Sequence, residues 1–307
     1  MDYLGNDLVS LPILVTGASG YLGSCIVKQL TLKKTRVVSV ASKRVKEGIE
    51  VCDLTSQREI IKLLQKVKPK SIIHCAAAVP KELNGSINGY QDANAAAESL
   101  NMALNLAEIA RCPIVFVSSM AIYDNGESLK NPVQEEDVEL APAPSSHYAI
   151  GKHTAEIKMA ELTNYGLICL RLPGLFGKPR TSGILYNAAR AFILGKEFKI
   201  LNTPLWAAMH VDDAASVCIK AAEMHEFPKS DIVNIGYDEK FNIVNAVNMV
   251  SKICGFYWKG GLIEAPSFQM DLEKSKKYML YQNNTLKDRL ISFVEDVKTD
   301  LNFKNGS

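Results

Sequence analysis

Tyr148 and Lys152 stand four residues apart, which puts both side chains on one face of a helix. A neutral tyrosine is a poor base at pH 7, but a nearby ammonium favours the phenolate and lowers its pKa. Such a tyrosine can pass a proton to or from a substrate oxygen while hydride moves to or from a nicotinamide. Tyr–Lys pairs at this spacing are common on helices, so placement has to separate this one from a packing pair. It follows a proline-rich loop containing Pro132, Pro142 and Pro144, and Ser145-Ser146 can supply the helix cap. Ser118-Ser119 end an apolar run, at the strand end where ligands of open α/β sheets bind.

A second group of residues points to the cofactor. Ile13 to Thr16 leads directly into Gly17-Ala18-Ser19-Gly20-Tyr21-Leu22-Gly23. Glycines there let the backbone turn tightly and approach a pyrophosphate, whose charge is stabilised by the N-terminus of the next helix. The next apolar run ends Val38-Ser39-Val40-Ala41-Ser42-Lys43-Arg44. An NAD-preferring site usually carries an acid here for the ribose hydroxyls, and Ala41 stands about where it belongs. Ser42, Lys43 and Arg44 would instead hydrogen-bond and neutralise a 2′-phosphate, so NADP(H) is favoured and NAD(H) remains possible. The alternative is a solvated basic loop. Asp53 would either accept from the adenine amino group or cap a short turn with Thr55 and Ser56.

These residues need a frame, and the chain supplies it as alternating β-branched runs and longer helical stretches. Strands are predicted at 13–16, 36–40, 50–52, 71–75, 114–118 and 167–172, with helices at 21–30, 59–66, 93–110 and 148–164. This α/β alternation makes a Rossmann-type, doubly wound parallel sheet, and the continuous apolar strands suit a sheet covered on both faces. The alternation stops near Leu172. It resumes with a helix at 212–224 and a strand at 232–235. Residues 1–172 plus 212–238 are therefore expected to form the dinucleotide-binding domain. Residues 173–211 plus 239–307 form a discontinuous substrate-binding region. Leu290, Phe293, Val294, Val297 and Leu301 fall at helical spacing and read as core.

With 307 residues, 47% of them hydrophobic, the chain can bury an ample core. A net charge of +2 gives no electrostatic case for nucleic acid or an anionic membrane surface as partner. No basic leader or apolar stretch of spanning length is evident, so a cytoplasmic protein is expected. The seven cysteines are scattered among apolar residues and form no C-x-x-C pair, which reads as reduced thiols, and no metal site is expected.

Taken together, several segments resemble the extended short-chain dehydrogenase/reductases, the group of NAD(P)-dependent nucleotide-sugar epimerases, dehydratases and reductases. They are Thr16 to Gly23, Asp53-Leu54-Thr55, His74 to Ala78, Asn94, Ser118 to Tyr123, Tyr148 to Glu156, Leu170 to Gly177, His210 to Asp213 and Asn234 to Gly236. The resemblance implies that Tyr148 is the acid/base, that Lys152 holds the nicotinamide ribose and tunes the tyrosine, and that Ser119 hydrogen-bonds the reacting oxygen. It implies a structural or relay role for Asn94. It places Leu54, Ala76, Ala77, Pro173 and Gly174 along the cofactor and His74 as packing beside it. A homodimer through the two helices flanking the active-site strand is the family default.

Departures narrow the chemistry. Family dehydratases carry an Asp-Glu pair where this chain has Met120 and Ala121, which disfavours 4,6-dehydration. Nucleotide-sugar enzymes often have an arginine where Trp206 stands, and Lys178, Arg180 or Arg190 would have to supply that positive charge. Trp206 would stack on a base or sugar, or simply pack. Asp212 and Asp213 are expected to cap the following helix, with a structural role for His210. The expected activity is reduction of a nucleotide-linked keto-sugar, because NADP(H) suits net reduction. The alternatives are a nucleotide-sugar 4-epimerase and, from another class, a non-catalytic NADP-binding sensor.

Overall fold

A computed structural model describes residues 11–43, 47–78, 89–124, 131–140, 143–203 and 205–305. In chain order its elements begin with β1 (Ile13–Thr16), α1 (Tyr21–Leu32), β2 (Val37–Ala41), β3 (Ile49–Val51), α2 (Gln57–Val67), β4 (Ser71–His74) and α3 (Gly89–Ile109). Next come β5 (Ile114–Ser119), a 3-10 turn at Met120–Tyr123, α4 (His147–Leu162), β6 (Leu167–Leu172), β7 (Gly174–Phe176) and α5 (Ile184–Ile193). The rest is β8 (Ala208–His210), α6 (Val211–Ala222), β9 (Asp231–Asn234), α7 (Ile243–Ile253), α8 (Glu273–Lys277) and α9 (Leu286–Asn305).

Seven parallel strands form one sheet in the order β3-β2-β1-β4-β5-β6-β9. Winding reverses between β1 and β4, and the crevice above the carboxyl ends at such a reversal is where doubly wound sheets take ligands. Successive strand residues feed opposite faces. Ile13, Val15, Ile73 and Val115 join one apolar core, while Leu14, Ile72, Ile114 and Phe116 join the other. Both faces are thus buried, as the unbroken apolar runs predict. A separate two-stranded parallel sheet pairs β7 with β8 beyond the end of β6.

Helix α9 packs where its stripe predicts, with Leu290, Phe293, Val294, Val297 and Leu301 all buried. Phe293 meets Phe176 edge-on at 5.3 Å between ring centroids, and Phe176 meets His210 at 5.3 Å. The C-terminal helix is therefore stapled to the β7–β8 pair. The segment at 133 is stitched to a distant strand-like stretch: Val133 N–H donates to the Gln269 carbonyl and Asp271 N–H to the Val133 carbonyl, both at 2.8 Å. No described helix is long and apolar enough to cross a membrane.

The aspartates do not cap α6 as expected. His210 does, its Nδ1 accepting from Asp212 N–H at 3.2 Å. Asp213 turns into the protein and accepts from Tyr237 Oη (2.6 Å), Asn284 Nδ2 (2.9 Å) and both arms of Arg289. The cause is geometric: the histidine precedes the first helical turn, while Asp213 already lies within it and faces the core.

Candidate active site

The glycine turn sits between β1 and α1. Gly17 has φ +67°, and a Cβ there would lie 2.7 Å from the Ala76 nitrogen. A Cβ on Gly23 would collide with the Gly17 carbonyl. Any side chain would therefore fill the cradle or push α1 off it. Gly20 caps α1 without a side-chain acceptor, so the first-turn N–H groups of Tyr21, Leu22 and Gly23 keep their hydrogen-bonding capacity. Such an uncapped N-terminus beside a tight turn fits a dinucleotide pyrophosphate. Ser19 is half-buried in the turn.

At the end of β2, Ala41 is buried and no acid takes its place. Ser42 and Lys43 are exposed beyond it, and Arg44 lies outside the described residues, as does Pro142. Asp53 spends one carboxylate oxygen locally: Oδ1 accepts from Thr55 N–H (2.9 Å) and Thr55 Oγ1 (2.8 Å). Those bonds, with Lys43 nearby, hold its carboxyl below the usual range. It is a turn residue, and the cap of α2 is Ser56. Leu54 is buried, its carbonyl accepting from Asn105 Nδ2 at 3.2 Å. Ala76 and Ala77 follow β4, with Ala76 N–H donating to Thr16 Oγ1 at 3.4 Å. Thr16 also pairs with His74 Nδ1 at 2.7 Å, and burial holds that imidazole down at about 3, neutral at any ordinary pH. Asn94 is exposed on α3 and does not line the cleft described next.

A cleft of about 410 Å³ opens at the carboxyl ends of β5 and β6. Ser119, Met120, Tyr148, Pro173, Gly174, Arg180 and Trp206 line it together with Tyr21 and Ser118. Ser146 caps α4 by accepting from Ala149 N–H at 3.1 Å, which starts the helix where Tyr148 faces the cleft. Ser119 Oγ accepts from Ala121 N–H (3.1 Å), and Ser119 and Tyr148 line the same cleft. Lys152 is buried one turn on, donating to the Val117 carbonyl at 2.7 Å with its Nζ 4.6 Å from the Phe116 ring centre and 5.9 Å from that of Tyr148.

The electrostatics differ from the expected ammonium-activated phenolate. Desolvation in the cleft raises the Tyr148 pKa, opposed by the nearby Ser119 hydroxyl, so the tyrosine rests as a neutral donor. Burial pushes Lys152 down to about 8, countered by the Glu156 carboxylate rather than by the Cys75 and Cys169 thiols, which burial keeps protonated. The lysine is directed to a backbone carbonyl rather than to the phenol oxygen.

Of the three basic candidates beyond β6, Arg180 belongs to the cleft, while Arg190 is exposed on α5 and does not line it. The Arg180 guanidinium lies 4.2 Å from the centre of the Tyr21 ring, and Tyr21 Oη donates to the Gly177 carbonyl at 2.7 Å. Lys178 points away and pairs with Asp296 (3.2 Å) and Asp300 (3.3 Å) on α9. It is an anchor for the C-terminal helix, not a cleft residue. Trp206 packs against Gly174, whose N–H donates to the Ala207 carbonyl at 3.0 Å.

Sequence reasoning missed the supports. Asp124 accepts from Ser145 N–H (3.0 Å) and Ser145 Oγ (2.7 Å), tying the turn after Ser119 to the start of α4. Arg171 and Glu156 form a fully buried pair behind the site. An arginine inside the apolar run Leu167 to Leu172, and an acid four residues after Lys152, were the available signals. Two larger hollows, of about 640 and 1010 Å³, lie elsewhere on the surface and contain none of these residues.

The model of the NAD dependent epimerase/dehydratase family matches residues 13–236, from the first strand through the last of the sheet. The chain belongs to this family. Its members are enzymes of the extended short-chain type, in agreement with the sequence resemblance. Among curated relatives, the rat methionine adenosyltransferase 2 subunit beta is 28% identical over 224 residues, 71% of this chain and 64% of that protein. The chain thus spans less than two-thirds of that relative's length. A GDP-6-deoxy-D-talose 4-dehydrogenase of Aggregatibacter actinomycetemcomitans is 29% identical over 149 residues, 48% of this chain and 46% of the enzyme. In fold, the chain matches the Thermotoga maritima UDP-glucose 4-epimerase solved with UDP-glucose: TM-score 0.74, 19% identity, 95% of this chain and 100% of that one. The Thermus thermophilus UDP-glucose 4-epimerase solved with NAD gives 0.71, 18% identity, 94% and 99%.

Proposed function

We propose that the chain is an NADP(H)-dependent oxidoreductase that reduces a keto-sugar carried on a nucleotide. The observation that carries this reading is that Ser119 and Tyr148 line one cleft, with Lys152 buried one helical turn behind Tyr148. A neutral tyrosine is a proton donor, and reduction of a ketone consumes a proton at the carbonyl oxygen. When bound, the nicotinamide supplies the hydride. Ser119 and Tyr148 orient the substrate oxygen, and Tyr148 gives it the proton. Lys152 lies where it would hold the nicotinamide ribose, and the first-turn N–H groups of α1 where they would bind the pyrophosphate.

Three features support the finer assignments. The missing acid at Ala41 and the exposed Lys43 support NADP(H). Met120 and Ala121, where dehydratases carry acids, support reduction over elimination. Arg180, held over Tyr21 beside the α1 N-terminus, supplies positive charge for a substrate diphosphate. Residues 173–211 plus 239–307 form the substrate region in this reading, the cytoplasm is its compartment and a homodimer its assembly.

A panel of nucleotide keto-sugars, followed by absorbance of the reduced cofactor, tests it. Steady NADPH consumption is expected. Sugar isomerisation without net consumption would replace the reductase with a 4-epimerase. The methionine adenosyltransferase subunit relatives favour a second reading, a cofactor-binding subunit without chemistry of its own. Cofactor binding with no turnover on any sugar, and no effect of Tyr148→Phe in cells, would select that reading.

A further inference from the structure

Behind the cleft, one guanidinium joins the elements that carry the chemistry. Arg171, on β6 two residues before Pro173, has no solvent exposure. Its Nε donates to Glu156 Oε1 (3.0 Å) and its Nη2 to Glu156 Oε2 (2.7 Å), a bidentate pair with both side chains fully buried. Its Nη1 donates to Tyr123 Oη (2.7 Å) and to the Glu135 carbonyl (2.8 Å). Tyr123 then donates to Asn234 Oδ1 at 2.7 Å, and Asn234 N–H donates to Glu135 Oε1 at 2.7 Å. Glu156, Tyr123 and Asn234 each use their side-chain polar atoms within this cluster.

The partners share one property. Tyr123 closes the 3-10 turn that begins after Ser119. Glu156 lies on α4, one turn beyond Lys152 and two beyond Tyr148, on the face that meets the sheet. Arg171 lies on the strand that runs into Pro173-Gly174. A buried ion pair is weak evidence for added stability, because desolvation offsets the attraction, so a role in fixing geometry is the better account of its presence. The interior here holds two cations, Lys152 and Arg171, with Glu156 paired to Arg171 and one helical turn beyond Lys152.

We propose that Glu156 and Arg171 are a positioning pair: Arg171 clamps the Ser119 turn, α4 and β6 into one frame, and Glu156, buried one helical turn beyond Lys152, is the carboxylate that balances both cations. The catalytic meaning of this inference rests on the reading above, but the arrangement is testable without a substrate. Lys152 faces His74 and Cys75 from β4, Cys169 from β6, and Tyr148 and Glu156 from its own helix. His74 is held at about 3, Cys75 at about 12 and Cys169 well above its ordinary value. Burial raises Tyr148 as well. The lysine therefore titrates below its raised neighbours and above the histidine.

The experiment labels the lysine ε-carbons of the full chain with 13C and follows each shift with pH, the Lys152 signal being the one lost in Lys152→Arg. A wild-type midpoint near about 8 is expected. Glu156→Gln keeps shape and hydrogen-bonding arms, and should lower the midpoint by about 1 pH unit or more, the size of effect an opposite charge at this range exerts. Arg171→Met removes the guanidinium that holds Glu156 in place and should move the Lys152 midpoint as well. Arg171→Lys keeps the charge and should restore the wild-type midpoint. Removing Arg171 threatens folding, and Glu156→Gln keeps the question answerable in that case. An unmoved Lys152 midpoint in folded Glu156→Gln overturns the inference. Failure of the wild-type chain to bind NADPH or NADH would count against the functional reading and leave this titration decisive for the pair.

Discussion

Asp213→Ala removes the acceptor on which α9 hangs. The carboxylate is almost fully buried and takes four donors, from Tyr237, Asn284 and both arms of Arg289. Deleting one partner of a buried ion pair costs about 3–5 kcal/mol. Arg289 is 30% exposed and can turn to water once released, so the lower end, about 3 kcal/mol, is expected. For a chain of this size that is a fall of about 5 °C in Tm. Thermal and urea unfolding by circular dichroism measure it, and a double-mutant cycle with Arg289→Ala should return a coupling of about 1 kcal/mol or more. The sign with pH is also fixed. Burial would raise the Asp213 pKa, but the bonds from Arg289, Tyr237 and Asn284 outweigh it and hold the carboxyl below its ordinary value. A depressed carboxyl contributes stability above the unfolded value, near ~4, and loses it as pH falls through the folded one. Asp213→Asn should therefore flatten the acid limb of the stability curve. Because α9 also grips Lys178 and packs Phe293 on Phe176, the loosened helix should weaken the cleft wall that carries Arg180. A loss below about 1 kcal/mol for Asp213→Ala, or additive effects with Arg289→Ala, would refute this account.

Tyr148→Phe should lower turnover by roughly 10²–10⁴-fold with cofactor affinity intact; less than a tenfold loss in NADPH consumption would remove the tyrosine from the proton path. Gly17→Ala should destabilise by about 2 kcal/mol or more and weaken cofactor binding, since the new Cβ meets the Ala76 backbone at a positive φ; unfolding and NADPH titration check both. Lys43→Ala should weaken NADPH roughly tenfold and leave NADH unchanged, as expected for one charge-assisted contact to a 2′-phosphate; equal loss for both cofactors argues against that contact. Burial holds Lys152 at about 8, so its ammonium is lost as pH rises through that value. Affinity for NADPH should fall across the same interval, and a flat profile between pH 7 and 9 would refute the ribose contact.

Much of the fold was legible because its signals are local. Unbroken apolar runs such as Ile13 to Thr16 specify a strand buried on both faces, and the glycine turn that follows can be occupied by little else. The Leu290, Phe293, Val294, Val297, Leu301 stripe gave a core helix for the same reason. Where the sequence reading failed, a partner far along the chain decided the outcome. Lys178 looked like a cleft cation until Asp296 and Asp300 claimed it. Asp213 looked like a cap until Arg289, 76 residues on, took its carboxylate.

Tyr148 and Lys152 show the division plainly. Their spacing alone set them on one helical face, because 3.6 residues per turn is a property of the backbone. Whether they act on each other was left to the tertiary structure. It directed Lys152 to the Val117 carbonyl, brought Tyr148 and Ser119 to one cleft, and placed Glu156 and Arg171 behind both. Burial and long-range charge set those states, and neither quantity exists until the sheet has closed around them.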